Sequence, residues 1–200
     1  MATYKIGYFV GSLATASINR TLSKALLKLA PESLEFTEIP IRDLPLYSYD
    51  YDSDFPPVAR ALKDAIGASD GILFVSPEYN RSIPGGLKNA IDWGSRPWGQ
   101  NSFARKPTGI IGASPGGIGT AVMQSSMRSV LSFLDAPQLN SPEAYITFRA
   151  EAFGEDGDVK DESTATFLRH YMDEYGAFVE RVLDANASGH IGDQHADSAK

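Results

Sequence analysis

Five short apolar runs of the chain stand between stretches whose apolar positions recur every three or four residues. The first group is Ile6–Val10, Leu34–Ile39, Gly71–Ser76, Thr108–Ala113 and Ala144–Phe148. The first, third and fourth are continuous rather than alternating, the mark of strands covered on both faces, as in a parallel sheet. The second group begins at Asn19–Leu29, where Leu22, Leu26 and Leu29 fall on one helical face. It continues with Val58–Ile66 behind the Pro56-Pro57 pair, then Pro84–Asp92 and Gly119–Leu134. It ends in a long segment, Glu162–Leu183, striped by Phe167, Tyr171, Tyr175, Phe178 and Leu183. A proline in the first turn suits a helix start, so Pro57 marks one.

Strand and helix alternate five times, which predicts a doubly wound α/β fold. Right-handed crossovers leave few topologies, and the common five-stranded one has the order 2-1-3-4-5 with helices on both faces. Residues 1–185 read as one domain. The small, polar composition of residues 186–200 predicts a disordered tail.

Bulk properties narrow the chemistry. The 200 residues contain no cysteine, so disulfides, thiolate metal sites, iron–sulfur clusters and a cysteine nucleophile are excluded together. A net charge of −7 argues against a nucleic-acid partner, which needs a basic stripe for phosphates. No stretch approaches the roughly 18 apolar residues that a membrane span requires. The N-terminal Met-Ala-Thr-Tyr-Lys runs into the first strand without the pattern of a leader, so a soluble, unexported, cytoplasmic protein is expected. His170, His190 and His195 all fall in the last helix or the tail, away from any serine-rich loop, and no spacing of side chains points to a metal.

In an open α/β sheet, ligands gather outside the carboxyl ends of the strands where strand order reverses. For order 2-1-3-4-5 that means the loops after strands one, three and four, and these are the most unusual segments in the chain. The first, Gly11 to Arg20, offers Ser12, Ser17 and Asn19 at a helix start, a cradle for a monophosphate. It lacks the Gly-Lys-Ser/Thr ending of a triphosphate loop, and the same residues also serve as an ordinary helix N-cap. The second, Ser76 to Gly86, sets Glu78, Tyr79, Asn80 and Arg81 between prolines and glycines, an irregular backbone able to face a flat polar ring. The third, Gly112 to Thr120, has glycines that allow close approach of backbone to a ligand, or that simply make a tight loop. Asp92 lies inside a helix at pairing distance from Lys88 or Arg96.

At these loops the sequence resembles the NAD(P)H-dependent FMN reductase family, which includes quinone, chromate and azo-dye reductases. The run Ser76-Pro77-Glu78-Tyr79-Asn80-Arg81-Ser82-Ile83-Pro84-Gly85-Gly86-Leu87-Lys88-Asn89-Ala90-Ile91-Asp92-Trp93 matches its signature nearly throughout, and the likeness extends over roughly residues 5–148. The resemblance implies a flavodoxin-like fold, non-covalent FMN, and NADPH or NADH as electron donor. It also implies a small-molecule electron acceptor and a homodimer or homotetramer. By carry-over, Ser12, Ser17, Ile18 and Asn19 hold the FMN phosphate. Pro77, Glu78, Tyr79 and Asn80 lie along the isoalloxazine, with Ser114, Gly116 and Gly117 at its other edge.

The chemistry then belongs to the flavin, and no side chain is expected to be catalytic in its own right. Relatives commonly carry arginine where this chain has Ala14, and Arg20 or Arg81 is a candidate to replace that charge. Trp93, Trp98, Phe103 and the aromatics from Tyr47 to Tyr51 either line an acceptor slot or are buried at a subunit contact. Two other readings fit the same fold: a flavodoxin-like electron carrier without its own nicotinamide site, and a flavin-free oligomeric binding protein.

Overall fold

A computed structural model describes residues 2–154 and 156–189. The strands are β1 (Tyr4–Val10), β2 (Leu34–Glu38), β3 (Gly71–Val75), β4 (Thr108–Ser114) and β5 (Tyr145–Thr147). The helices are α1 (Ile18–Leu29), α2 (Pro57–Gly67), α3 (Gly85–Gly94), α4 (Ala121–Phe133) and α5 (Glu162–Ala187). All strand pairs are parallel and the sheet order is β2-β1-β3-β4-β5, as the alternation predicts.

Strand β3 shows why its sequence carries no polar position. Ile72 and Phe74 project into one core with α2, α3 and α4, while Leu73 and Val75 project into a second with α1 and α5. Alternate residues face opposite sides of a sheet, so a central strand covered on both sides must be apolar throughout. On the first face Phe9 and Phe74 stack at 5.2 Å, and Phe103 closes over them. On the second, α5 lies so close to the sheet that a Cβ on Gly71 would meet the Tyr175 hydroxyl at 3.0 Å. One on Gly109 would meet the Tyr171 hydroxyl at 3.1 Å. Helix and sheet are matched ring to glycine.

Helix starts follow local chemistry. Pro57 occupies the first turn of α2. Asp161 caps α5 by accepting from the Thr164 amide at 2.8 Å, and the hydroxyls of Ser163 and Thr164 join that amide in holding its carboxyl down to about 2. The end of α5 departs from expectation. The helix runs on through Asn186 and Ala187, two residues placed in a disordered tail by composition, and Asn186 Nδ2 donates to the Arg105 carbonyl at 3.0 Å. Helical propensity of Ala and a tertiary acceptor outweigh the polar composition there. Residues 190–200 of that tail, with His190 and His195, lie outside the described residues, whereas His170 sits exposed on α5.

One polar pair ties α1 to the sheet edge. Arg20 grips Glu38 at the end of β2 through two bonds of 2.8 and 2.9 Å, and Tyr8 adds a hydroxyl at 3.3 Å. The Arg20 guanidinium holds the Glu38 carboxyl below its ordinary value of 4.5. A carboxyl lowered on folding contributes stability above its unfolded value and loses it as pH falls toward the folded one. Urea midpoints measured from pH 6 to pH 3 are therefore expected to drop less steeply in Glu38→Gln than in the parent chain. Equal slopes in the two proteins overturn this.

Candidate functional site

The loops after β1, β3 and β4 meet at the carboxyl rim of the sheet, and side chains cross-brace them there. The Ser12 and Tyr79 hydroxyls lie 3.5 Å apart, linking the first loop to the second. Leu13 packs over the start of α3, where a Cβ on Gly86 would meet its Cδ1 at 3.3 Å. Gly11 and Gly112 flank Ser76 so tightly that a Cβ on either would clash, at 2.3 Å from Ser76 Oγ and 2.0 Å from its carbonyl oxygen. These glycines serve the mutual approach of backbone strands.

At the first loop, Ser17 is the N-cap of α1 and accepts from the Arg20 amide at 3.4 Å. The amides of Ile18 and Asn19 are then the first two of the helix, which have no intrahelical acceptor. With the Ser12 and Ser17 hydroxyls they form a donor set suited to a phosphate group, and the helix dipole adds to it. The Asn19 side chain has a different duty. It is 1% exposed, donates to the Ala113 carbonyl and accepts from the Ala113 amide, both at 2.9 Å. Only its main-chain amide remains for a ligand.

At the second loop, Tyr79 and Ser82 exchange main-chain bonds at 3.0 and 3.1 Å around Asn80 and Arg81, which have φ of 50° and 61°. This is a two-residue turn with both central residues left-handed, a conformation in which asparagine is favoured. It leaves Tyr79 and Asn80 exposed. Pro77 is buried beneath them, and the Glu78 side chain turns inward. Glu78 Oε2 accepts from the amides of Val122 and Met123 at 3.0 Å each, while Oε1 receives Arg81 at 3.2 Å. Thr120 occupies the cap position of α4 but gives no side-chain cap bond. A carboxylate from another loop thus caps this helix and complements its dipole.

At the third loop, Ser114 Oγ accepts from the Gly116 amide at 3.2 Å. Gly116 and Gly117 are exposed, and a Cβ on Gly117 would meet nothing within 4 Å. These two, unlike Gly112, leave open room over the rim. The donor set and the open backbone fit a phosphorylated flat ring such as FMN.

The remaining signature residues work at a distance. Asn89 accepts from the Tyr47 amide and donates to the Pro45 carbonyl, both at 2.9 Å. Trp93 Nε1 donates to the same carbonyl at 2.7 Å. Both anchor the segment after β2 to α3. Tyr47 packs edge-on against Trp93 at 5.1 Å, and burial with its bond to Asp52 pushes its hydroxyl up to about 12. Lys88 pairs with Asp92 at 2.7 Å, the four-residue pairing expected.

Two sequence expectations are corrected. Trp93 and Phe103 are wholly buried in the core of the subunit, neither in an acceptor slot nor at a subunit contact. Arg20 and Arg81, the candidates for a replacement cation, are each paired with a carboxylate. Trp98 is 68% exposed and sits with Phe133 on a groove of about 380 Å³ away from the three loops. Sequence reasoning missed Arg42, whose Nη2 donates to the Leu13 carbonyl in the first loop. No local pattern marks it, because the contact joins segments 29 residues apart.

Known proteins carry the same pattern. The model of the NADPH-dependent FMN reductase family matches residues 4–151. A 2-hydroxy-1,4-benzoquinone reductase of Burkholderia sp is 51% identical over 175 residues, covering 88% of this chain and 96% of that protein. A quinone reductase of Pseudomonas putida is 44% identical over 178 residues, covering 88% and 95%. Among solved structures, FerB, a flavoenzyme NAD(P)H:(acceptor) oxidoreductase from Paracoccus denitrificans, superposes with a TM-score of 0.87 at 45% identity. It covers 90% of this chain and 98% of its own. With the strand order, the three-loop rim and the long signature all in place, the chain belongs to the NADPH-dependent FMN reductase family.

Proposed function

We propose that this chain is an FMN-dependent oxidoreductase that takes electrons from NADH or NADPH and delivers them to a quinone-type acceptor. The observation that carries this reading is the rim itself. The loops after β1, β3 and β4 bring orphan amides of α1, two hydroxyls and open glycine backbone to one rim of the sheet. FMN held there would supply the two-electron redox chemistry between nicotinamide and acceptor.

The chain's own residues bind and orient. Ser12, Ser17 and the amides of Ile18 and Asn19 hold the phosphate. Pro77, Glu78, Tyr79 and Asn80 would hold the ring along one side, and Ser114, Gly116 and Gly117 around its other edge. Glu78 and the Asn19 side chain hold these segments at fixed separation through α4 and Ala113. Orientation of this kind is what a protein contributes when its cofactor performs the reaction. The exposed Leu13, Leu46, Tyr49, Tyr79 and Ile118, all on segments following strands, favour flat apolar acceptors. The exposed Trp98 and Phe133 support a homodimer or homotetramer. No described helix is long and apolar enough to cross a membrane, which accords with a cytoplasmic site of action.

The test is an absorbance spectrum of the purified protein, followed by anaerobic addition of each nucleotide and then of a benzoquinone. Flavin bands, bleached by nucleotide alone and restored by quinone, are the expected result. A colourless protein that takes up no FMN overturns the reading. A flavin that bleaches only when a partner protein is added identifies an electron carrier instead.

A further inference from the structure

Three arginines stand around the first loop and its neighbours, and two of them are electrically balanced. Arg20 is held by both oxygens of Glu38, and Arg81 by Glu78. Arg42 differs. Its Nη2 donates to the main-chain carbonyl of Leu13, a partner without formal charge, and among the described residues no carboxylate forms an ion pair with it. A guanidinium carries five N–H donors, of which this bond uses one. The loop it grips contains no lysine or arginine from Gly11 to Asn19. The donor set of that loop is neutral: two hydroxyls and the amides of a helix start, whose dipole amounts to about half a charge. A phosphate ester carries close to two.

We propose that Arg42 is the phosphate-recognising cation of this rim, tethered through the Leu13 carbonyl to a loop that has no cation of its own. It is a binding residue, and its planar fork suits a phosphate oxygen pair better than an ammonium does. The inference rests on the functional reading above, under which two ligands bring a phosphate to this place: FMN through its monoester, and the nicotinamide nucleotide through its phosphates. The segment carrying Arg42 is itself fixed farther on, where Pro45 is bonded to Asn89 and Trp93. The guanidinium therefore approaches the loop from an anchored support. Arg42 is also exposed, so its replacement leaves the core untouched.

The experiment titrates flavin-stripped protein with FMN and, separately, with riboflavin, following flavin fluorescence. Parent chain, Arg42→Ala, Arg42→Gln and Arg42→Lys are compared, and melting of each apoprotein checks folding. If FMN is the partner, its Kd rises about tenfold in Arg42→Ala and Arg42→Gln, as expected for a lost charge-assisted bond. Arg42→Lys retains part of the affinity, riboflavin binding stays unchanged, and added salt weakens FMN less in the alanine variant than in the parent. If the nucleotide is the partner, FMN affinity holds while KM for NADPH or NADH rises by a similar factor at constant kcat. Either pattern supports the proposal and names the source.

Unchanged flavin affinities together with unchanged KM values overturn the proposal and leave the functional reading intact. So does equal weakening of FMN and riboflavin, which assigns Arg42 to bracing the loop alone. A parent chain that takes up neither flavin removes the functional reading first, and this proposal with it.

Discussion

Gly112→Ala is expected to destabilise the protein by about 3 kcal/mol or more, at the upper end of what overpacking costs. It should also abolish retention of FMN through purification. The added methyl would lie 2.0 Å from the Ser76 main-chain oxygen and 2.6 Å from Thr120 Oγ1. Neither neighbour can retreat. Ser76 bonds into β4 through its amide, which donates to the Ile111 carbonyl at 3.0 Å, and Thr120 is fully buried at the start of α4. Relief must come from parting β3 and β4 where the second and third loops begin, so fold and site suffer together. Gly117→Ala is the control. Its methyl meets nothing within 4 Å, so the melting temperature of the apoprotein should stay where it was while FMN affinity falls. If Gly112→Ala unfolds at the parent's urea midpoint, the rim is looser than its distances state.

Asn19→Ala is the second large effect. From the start of α1 the side chain satisfies both the amide and the carbonyl of Ala113, in a site closed to water. Removing it leaves two buried polar groups unpaired, at about 1–3 kcal/mol each, for a total of about 2–6 kcal/mol. That is a large share of the roughly 5–15 kcal/mol by which such domains are stable. Asn19→Asp keeps the acceptor but loses the donor toward the Ala113 carbonyl and buries a charge, so it should be no better than alanine. Urea unfolding of the apoproteins with an unchanged m-value measures this directly. A loss below about 1 kcal/mol would mean that Ala113 finds other partners.

These two residues show which parts of the molecule are legible in the chain and which are not. Element type and order follow from periodicity because burial on both faces of a sheet leaves a local trace, as at Ile72 to Val75. The rim follows as well, since topology alone sends the loops after β1, β3 and β4 to one place. Individual roles do not follow. Asn19 looks like a ligand for phosphate, yet its amide reaches 94 residues along the chain to Ala113. Glu78 looks like a group facing a ring, yet it caps α4.

Trp93 and Phe103 look like the walls of a slot because aromatic residues near a site read the same whether they point in or out. Asn89 and Trp93 do carry a trace: a four-residue spacing places both on one face of α3, available to a common partner. Arg42 carries none. Its importance is set by which carboxylates have already claimed Arg20 and Arg81, a fact of three-dimensional pairing.

The fit of Tyr171 and Tyr175 against Gly109 and Gly71 lies at the start of β4 and β3, the end of the sheet remote from the loops. A helix keyed to the sheet in this way cannot slide along it, so α5 fixes the end of the sheet opposite the three loops. At the opposite end, open loop positions such as Gly117 can change without disturbing this contact, whereas Gly112 and Asn19 belong to the scaffold, so variation in acceptor choice falls to the open positions.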